Sequence, residues 1–485
     1  LTDYEYDHND QVIKQTVPYE VSPSSGYRPQ QLTSQPVTIT TYDIFGRTLN
    51  VLRTDGVIDS SVAYNGLVTS VTDANGWTTV QTQDEWGRIT EVRPPTGPKT
   101  RYEYDAADNL TAARQYENAG TTSFAATTMA YNLANEKLTM NDPDMGVWQY
   151  RYDGVGNLTR QTDARGQSIC LYYDQLNRLT GKYYTTAAAC PTGTNINVNV
   201  QYVYDTGPNG IGHRTEMHDL SGGTTWTYDN RGRMTSEVKT ITGSGMFKTT
   251  WWYNDADLVE FIFYPADNTG AGGEGVFYTY NNLSAVDMVL GSNYAYLGKA
   301  HYDSSGRVES LELGGSGSSA SIFQDYTYYG WDEAVSNIGQ GSRLKEIKAG
   351  TPAAPASLTD FVYDYDYAGN IVTINDFVTD NPQTQTFTYD SINRLLSAQT
   401  ISGIFGSYSQ SYDYDTKGRL LNGTNTYSDS GSHLHAVIGR STTQSYWYDA
   451  NGNLIHQKLE LTSKNQYYVF NAENQLIQDY KQMQG

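Results

Sequence analysis

The chain has 485 residues and a formal net charge of -21, with 53 acidic against 32 basic side chains. This balance excludes an extended nucleic-acid surface, because phosphate binding needs clustered Lys and Arg. Tyrosine is unusually frequent, with 42 Tyr against 12 Phe and 8 Trp, and only 38% of residues are hydrophobic. Because Tyr suits half-buried pleated surfaces, the composition favours a soluble, β-rich protein. No apolar run reaches the roughly 20 residues that a membrane helix needs.

A tyrosine followed by Asp or Asn recurs along the chain. The first copy, at residues 6–13, is degenerate, and residues 14–36 then lose the pattern. Four prolines in that stretch exclude a regular central strand, so we expect residues 1–35 to form a degenerate repeat and an irregular end segment. From Tyr42 onward, successive copies begin 19 to 37 residues apart. This period is typical of repeat architectures and predicts one continuous repeat domain over residues 36–485.

Each repeat carries two turn signals and therefore predicts two strands. The Asp or Asn after the tyrosine can bond its own backbone, and a following Gly supplies a positive φ. Between turns, as in residues 178–183, apolar and polar residues alternate. The predicted fold is all-β, with repeated antiparallel hairpins that form a long spiralling sheet, because a sheet of so many strands must coil. Since both faces are mixed in polarity, we expect a hollow shell or part of one.

The residues predicted to define the repeat have structural roles: Asp and Gly form the turn, and Tyr packs in the ladder. They are Tyr42, Asp43, Gly46, Arg47, Tyr104, Asp105, Tyr152, Asp153, Gly156, Asn157, Tyr173, Asp174, Tyr228, Asp229, Gly232, Arg233, Tyr302, Asp303, Gly306, Arg307, Tyr389, Asp390, Tyr414, Asp415, Gly418, Arg419, Tyr448, Asp449, Gly452 and Asn453.

Insertions rich in Gly, Ser or Pro are expected to be flexible surface excursions between strands. They cover Cys190–Asn199, Asp267–Gly275, Gly314–Ser321, Gly350–Ser357 and Gly423–His435. The two cysteines, Cys170 and Cys190, exclude a disulfide framework and a Cys-rich zinc module. One disulfide across neighbouring strands and two free buried thiols both fit the sequence.

No pattern predicts catalysis, a cofactor or a metal site. Carboxylate pairs occur at residues 255 and 257, 364 and 366, and 413 and 415. They belong to the repeat, so turn formation explains them better than acid–base catalysis or calcium binding. His433 and His435 form a His-x-His that would bind a metal only if a third ligand approached. The eight tryptophans are expected to pack in ladders between repeats, with glycan contact as the alternative; they are Trp77, Trp86, Trp148, Trp226, Trp251, Trp252, Trp331 and Trp447.

The repeat resembles that of the Rhs family, also called YD-repeat proteins. The resemblance is carried by residues 152–159, 228–233, 389–395 and 448–454, and it extends over nearly all of residues 36–485. The family includes bacterial Rhs toxins, the C components of insecticidal toxin complexes, wall-associated bacterial proteins and teneurins. It implies a β-sheet that spirals into a hollow shell, which encloses a C-terminal effector in the toxins and serves adhesion through its outer surface in teneurins.

The chain departs from this family in the segments around the repeats. We find no core segment in which paired Asp-Pro-x-Gly motifs bracket an autoproteolytic site. The nearest string, residues 142–146, has one residue too many. A variable toxin domain and a capping domain are not recognisable either. Self-cleavage and toxin activity are therefore carried over to no residue.

The resemblance implies a non-enzymatic structural shell that encapsulates and protects a polypeptide toxin or effector for export or delivery. The alternative is a cell-surface adhesion or recognition module that binds glycans or a protein receptor through the outer face. The expected partner is accordingly a polypeptide cargo or C-terminal toxin domain outside this chain, or a cell-surface glycan or receptor. We expect no nucleic acid, no transmembrane segment and no cofactor. The expected location is secreted or cell-surface, with the signal or anchor outside these residues.

Overall fold

All regular elements of the chain are β-strands in the ranges that the structure describes. These ranges of the computed structural model are 1–19, 30–193, 196–266, 273–315, 322–330, 341–378, 382–402, 406–422, 424–441, 443–459 and 464–483. The strands, in chain order, are β1 Tyr4–Tyr6, β2 Val12–Thr16, β3 Val37–Tyr42, β4 Thr48–Leu52, β5 Ile58–Asn65, β6 Val68–Asp73, β7 Thr78–Gln83, β8 Ile89–Arg93, β9 Lys99–Tyr104, β10 Leu110–Tyr116, β11 Ser123–Tyr131, β12 Lys137–Asp142, β13 Gly146–Tyr152, β14 Leu158–Thr162, β15 Ser168–Tyr173, β16 Leu179–Thr185, β17 Val200–Tyr204, β18 Arg214–Asp219, β19 Gly222–Tyr228, β20 Met234–Ile241, β21 Gly245–Tyr253, β22 Val259–Phe263, β23 Gly275–Tyr280, β24 Val286–Leu290, β25 Ala295–Tyr302, β26 Val308–Leu313, β27 Ile322–Tyr328, β28 Leu344–Thr351, β29 Ala354–Tyr365, β30 Ile371–Asp376, β31 Gln383–Tyr389, β32 Leu395–Ser402, β33 Ser409–Ser411, β34 Asn425–Tyr427, β35 Val437–Arg440, β36 Gln444–Tyr448, β37 Leu454–Leu459, β38 Lys464–Phe470 and β39 Leu476–Met483.

Neighbouring strands in sequence pair antiparallel. Strands β1 to β33 belong to one sheet of 33 strands, and β34 to β39 form a second sheet of six. Between the two, the bridge Tyr414–Leu420 is an isolated pair. The predicted fold class, all-β with repeated antiparallel hairpins in a long sheet, is confirmed.

One turn recurs at the end of the first strand of each repeat. In the copy at residues 174–178, the N–H of Asp174 bonds the carbonyl of Arg178, and the N–H of Asn177 bonds the carbonyl of Asp174. Asn177 has a φ of 60°, and the pairing register shifts between Tyr172 and Tyr173. A tight turn followed by a left-handed residue and a bulge is a known hairpin form that increases strand twist. We call this five-residue element the Tyr-Asp turn. Consecutive repeats are joined by a second turn at the opposite edge of the sheet, which we call the return turn.

The first side chain of the Tyr-Asp turn holds the turn closed. Asp174 Oδ1 accepts hydrogen bonds from the N–H groups of Leu176 and Arg178, each at 2.9 Å. Asp174 Oδ2 accepts from Arg178 Nε at 2.7 Å. The bond from the backbone N–H of Arg178 lowers the pKa of the Asp174 carboxyl; desolvation opposes this shift and the Arg178 side chain adds to it. The turn is therefore built around the ionised carboxylate.

The repeat tyrosine connects each repeat to the preceding one. Tyr173 donates its phenol hydrogen to the Leu158 carbonyl at 2.9 Å, and Tyr389 donates to Ile371 at 2.8 Å. In each case the acceptor directly follows the preceding Tyr-Asp turn. The same bond is made by Tyr42, Tyr64, Tyr204, Tyr228, Tyr280, Tyr302, Tyr328, Tyr365, Tyr427 and Tyr448. One hydroxyl thus fixes the position of one hairpin on the next.

The last residue of the Tyr-Asp turn also contacts the following repeat. Where it is Arg, the guanidinium can lie over the next tyrosine, 4.1 Å from the ring centre for Arg307 and Tyr328. Where it is Asn, its amide bonds the left-handed Asn of the next turn, as Asn157 does with Asn177 at 2.9 Å. The pairs Asn109–Asn135, Asn370–Asn393 and Asn453–Asn474 repeat this contact. The residue at this one position therefore determines the contact with the next repeat: Arg gives a cation–π contact, and Asn gives an amide hydrogen bond.

The sheet has little apolar core. The most deeply buried side chains are the small ones of Thr16, Ser168 and Cys170, and most strand residues are half-buried. Because most residues of the described strands are half-buried and few are enclosed, the strand faces keep solvent access along much of their length.

Three local predictions are corrected by the strands. Gly350–Ser357, expected as a flexible loop, lies mostly within the long hairpin of β28 and β29. Its glycine allows this, because a Cβ on Gly350 would stand 2.1 Å from the Ala354 carbonyl oxygen. Gly423–His435 contains the strand β34, and Tyr427 starts a repeat that the sequence pattern missed because Ser428 replaces the usual Asp. Within the stretch 14–36, the first residues still belong to β2.

Several other predictions fall partly outside the described residues. These are the rest of the end segment at residues 20–29, the insertions at residues 267–272 and 316–321, and Trp331. The boundary between residues 35 and 36 stays a prediction.

The two cysteines form a disulfide, which settles the alternative that the sequence left open. Cys170 lies in β15, and Cys190 lies in the connection between β16 and β17. Val198, further along this connection, packs so closely on Gly181 that a Cβ there would lie 2.8 Å from Val198 Cγ1. The disulfide therefore fastens the insertion to the face of the sheet.

We predict that replacing Cys170 and Cys190 together by Ala destabilises the chain by about 3 kcal/mol, the loop-closure entropy for a bridge that spans 20 residues. The measurement is the shift of the urea unfolding transition of the double variant against the oxidised parent. Equal transitions would contradict a stabilising role for the disulfide.

We predict that Tyr389→Phe costs about 1 kcal/mol, because it leaves the Ile371 carbonyl without its phenol partner. Tyr294→Phe is the control, since Tyr294 is 50% exposed and its hydroxyl makes a long contact of 3.4 Å with the Tyr296 hydroxyl. Urea unfolding of the two variants should separate them clearly. Equal losses would show that the phenol bond between repeats does not matter.

Candidate functional site: a polar seam

The chain divides into two compact units. Unit 1 comprises residues 1–96, 253–262 and 275–412, and unit 2 comprises residues 97–252, 263–274 and 413–485. In each unit, Tyr-Asp turns contact return turns, and in one case a strand, that lie far away in sequence. We call these contacts the seam of the unit.

In unit 1, the seam includes neutral and carboxylate hydrogen bonds. Asn75, in a return turn, donates from Nδ2 to Asp366 Oδ2 at 3.0 Å and accepts from the Ala368 N–H at 3.3 Å. One repeat further, the hydroxyls of Thr96 and Ser391 lie 2.7 Å apart. These contacts join residues 291 to 295 positions apart. The seam of unit 1 is thus polar and in register over two consecutive turns.

In unit 2, Asn451 is the centre of the corresponding contact. It donates from Nδ2 to Asp163 Oδ2 at 2.6 Å and accepts from the Ala164 N–H at 2.9 Å, across 288 and 287 residues. Only 7% of Asn451 is exposed. Arg165 extends the contact through a bond to the Asn471 carbonyl and an ion pair with Asp449 at 3.5 Å.

The next contact of the same seam is ionic and joins a Tyr-Asp turn to strand β16. Glu473 Oε1 accepts from Lys182 Nζ at 2.7 Å and from the Tyr184 hydroxyl at 2.9 Å. Burial raises the pKa of the Tyr184 phenol, and Glu473 adds to the shift. The phenol therefore stays protonated and keeps donating to the carboxylate.

At the start of this seam, His433 and His435 both form hydrogen bonds with Asp144. We call these three residues the histidine clasp. His435 binds Asp144 through its N–H at 3.0 Å and through Nδ1 at 2.5 Å, while its Nε2 lies 2.9 Å from Gln115 Oε1. His433 Nδ1 lies 2.9 Å from the Asp144 carbonyl oxygen. The Asp144 carboxylate raises the pKa of the His435 imidazole against desolvation. Desolvation alone would raise the Asp144 pKa, but the His435 hydrogen bonds lower it.

The clasp borders a cavity of about 220 Å³ that is also lined by Thr127 and Asp142. A histidine beside a carboxylate is a common acid–base pair, but here both ring nitrogens of His435 have protein partners. Thr127 in turn donates to Asp142 at 2.5 Å. These side chains form hydrogen bonds with one another, so the arrangement suits a structural role.

A larger cavity of about 580 Å³ lies beside the disulfide-bound insertion. Its lining includes Tyr173, Tyr202, Tyr204 and Arg178. The phenols of Tyr173 and Tyr204 bond backbone carbonyls, and Arg178 pairs with both Asp174 and Asp205. The cavity therefore offers aromatic surface whose polar groups are largely committed to the repeat.

The other candidate groups of the sequence are dispersed. In the described part of the chain, no cluster of three or more His, Cys, Asp or Glu has the geometry to hold a metal ion. Asp366 and Asp415 open Tyr-Asp turns, and Asp257 is a left-handed turn residue with a φ of 62°. No helix in the described ranges is long and apolar enough to span a membrane.

The tryptophans occupy different environments. Trp148 is buried and donates to the Met145 carbonyl, whereas Trp86 is 75% exposed. Trp447 begins a ladder of stacked rings with His456, Tyr467 and Tyr480 across β36 to β39, with ring centres 4.4 to 5.2 Å apart. Such stacking is the ladder packing that the sequence favours, and the outer rings stay accessible.

The predicted repeat-defining aspartates lie in the Tyr-Asp turns, but the residues of the seam were not predicted. Asn451 and Glu473 each occupy the third position of their turn, where Val155 and Leu176 stand in earlier copies. Polar residues such as Asn9 and Arg231 also stand at this position in other turns, so the residue type there does not by itself predict the seam. The assignment of the repeat-defining set stays a prediction.

Comparison with known proteins agrees with the repeat resemblance. Residues 84–122 and 152–189 match the family model of the RHS repeat. No curated protein matches the sequence significantly.

Solved structures share the fold over the whole chain. The crystal structure of TcdB2-TccC3, and that of TcdB2-TccC3 without its hypervariable C-terminal region, each match with a TM-score of 0.70, 15% identity and 99% of this chain. The Photorhabdus luminescens Tc holotoxin pore matches with a TM-score of 0.69, 15% identity and 98% coverage. The chain spans 28% of the first two matched chains and 27% of the third.

We predict that the histidine clasp is tightest between pH values of about 4 and 6.5, where Asp144 is ionised and His435 is protonated. Because the His435 pKa is raised on folding, its contribution is full below the ordinary His pKa and is lost as the pH rises through the folded value. Because the Asp144 pKa is lowered, its contribution is lost as the pH falls through the folded value. Arg419 and Asp142 face the imidazole with opposite effects, and Lys417 lies over the neighbouring Phe124 ring.

The measurement is amide hydrogen exchange at residues 142–146 against pH, corrected for intrinsic exchange. His435→Gln should remove the pH dependence above neutrality and leave exchange at residue 182 unchanged. An identical pH profile in the parent and the variant would contradict the clasp.

Proposed function

We propose that the chain, whose RHS-type repeats fold into long antiparallel sheets, is a section of a non-enzymatic shell that encapsulates a polypeptide cargo. The observation that carries this proposal is the fold match over 99% of the chain to TcdB2-TccC3. Encapsulation is our inference for this chain, because 15% identity supports the fold alone.

The character of the sheet supports this role. An enclosing wall must bond its own backbone and present a surface on which an unfolded chain finds no core to pack against. Here the backbone is held by strand pairing and turns, while the strand faces are half-exposed and mixed in polarity. The net charge of -21 disfavours the retention of acidic chains and favours basic cargo.

We also infer that the chain is exported. Its disulfide is of the kind that persists in oxidising compartments. The partner in this proposal is a toxin or effector polypeptide, and no step of catalysis is assigned to any residue.

A second candidate function is adhesion through exposed aromatic side chains. The ladder from Trp447 to Tyr480 has 43% and 44% exposed rings at its two ends. Aromatic faces of this kind can stack on sugars or on a protein receptor.

The test is to fuse a small reporter protein behind Gly485 and to compare its proteolysis with that of the free reporter. For a shell, we expect the reporter to be cleaved at least roughly tenfold more slowly, a protection of about 1.4 kcal/mol. The matched control carries Lys182→Met and Asp163→Asn, which weaken the seam contacts and should restore cleavage.

Cleavage at the rate of the free reporter would contradict encapsulation by this section. Retention of the chain on immobilised glycans, lost in Trp447→Ala, would then support the adhesion alternative.

A further inference from the structure

Both seams contain an asparagine that is followed by glycine. Five asparagines of the chain precede a glycine; they are Asn65, Asn75, Asn209, Asn422 and Asn451. Two of them, Asn75 and Asn451, donate a hydrogen bond to an aspartate across the seams. Each also accepts an alanine N–H through its side-chain oxygen. The two units therefore use the same dipeptide for the same pair of hydrogen bonds.

Asparagine before glycine is chemically labile. The backbone nitrogen of the glycine attacks the side-chain carbonyl carbon of the asparagine, since glycine has no Cβ to obstruct the approach. A C–N bond forms, and the side-chain amide nitrogen leaves as ammonia together with the proton of the glycine N–H. Water then opens the resulting cyclic succinimide and leaves aspartate or isoaspartate. The reaction needs no oxidant and no cofactor.

The closed seam of unit 2 holds both reacting groups in place. Asn451 Nδ2 donates to Asp163 Oδ2 at 2.6 Å and to Asn474 Oδ1 at 2.9 Å, and the side chain is buried. The N–H of Gly452 donates to the Asp449 carbonyl at 3.0 Å. Ring closure must break the side-chain bonds and turn the glycine nitrogen away from its acceptor. Deamidation of Asn451 therefore requires local opening of the seam.

The glycine at position 452 is itself required by the seam. Its φ is 84°, and a Cβ there would stand 2.8 Å from the Asp144 carbonyl oxygen. Another residue would be strained and would collide with the return turn at residues 142–146. The contact that closes the seam thus keeps the labile dipeptide in place.

Deamidation would leave two carboxylates facing each other across the seam. At position 451 an oxygen would replace Nδ2, so acceptor would meet acceptor and like charge would meet like charge at Asp163. The same change at position 75 would face Asp366. Isoaspartate would in addition lengthen the main chain by a methylene group inside the turn. A seam modified while open could not restore its original hydrogen bonds.

We propose that Asn75 and Asn451 are deamidation sites controlled by the seam: the closed seam protects them, and their conversion prevents an open seam from closing again. Asn65 and Asn209 are exposed, and neither takes part in the seam contacts described above. They therefore serve as references within the same chain. The inference concerns the seams and is independent of what the sheet encloses.

The first test follows deamidation of the intact chain at neutral pH by peptide mass spectrometry, with a sample unfolded in urea in parallel. The rate at each site in the folded chain is divided by the rate of that site in urea. This relative rate should be roughly tenfold or more lower at Asn75 and Asn451 than at Asn65 and Asn209. Equal relative rates at all four sites would overturn the proposal.

A variant that weakens only one seam sharpens this test. Lys182→Met removes the ion pair with Glu473 in unit 2. It should accelerate deamidation of Asn451 and leave Asn75, in unit 1, unchanged. Lys239→Met removes the same charge from an exposed position of β20 and should change neither site. An unchanged rate at Asn451 in Lys182→Met would contradict control by the seam.

The second test asks whether the product opens the seam. In Asn451→Asp, hydrogen exchange of the Ala164 N–H, which bonds Asn451 Oδ1 at 2.9 Å in the parent, should be roughly tenfold or more faster at neutral pH. The control Asn65→Asp adds the same charge at an exposed asparagine before glycine and should exchange like the parent. Circular dichroism of both variants confirms that the sheet is retained. Parental exchange at Ala164 in Asn451→Asp would overturn the proposal.

Discussion

The carboxylate that opens the Tyr-Asp turn is the constraint on which the repeat depends. By accepting two backbone N–H groups, Asp174 commits the chain to a left-handed residue three positions later and to a one-residue register shift. That shift sets which residue follows the turn, and its carbonyl is the acceptor for the next repeat tyrosine. A local hydrogen bond thus determines a contact between hairpins. The other copies of the Tyr-Asp turn position the following hairpin in the same way.

This mechanism explains how the chain folds with little core. The apolar area available per strand is small, so neighbour contacts of hydroxyl, guanidinium and amide groups carry much of the specificity. In a linear array of this kind, stability is the sum of the units and their interfaces. The seam of unit 2 differs from these contacts because it contains ion pairs. The strength of the Lys182–Glu473 and His435–Asp144 pairs depends on the charge state of both partners.

The sequence predicts what is local and periodic. Asp, Gly and Tyr at a fixed spacing specify the turn, the hairpin and the all-β class. The hairpin at Gly350–Ser357 was missed, because composition alone does not distinguish a mobile loop from glycine that lets two strands approach. Tyr427 was missed because the turn after it lacks the usual Asp. The disulfide and the partners of Asp144, Asn451 and Glu473 depend on distances in space that no short pattern records.

The seam also fixes the number of repeats between its two sides. Asn75 follows the repeat start at Tyr64 and meets the turn after Tyr365, while Asp163 follows Tyr152 and meets the turn after Tyr448. When Tyr427 is included, each pair is separated by twelve repeat starts, although the repeats themselves differ in length. A longer loop leaves this number unchanged, whereas the gain or loss of one hairpin would set Lys182 against the wrong turn. The length of individual repeats is therefore free to vary, whereas the number of repeats between the two sides of the seam is constrained.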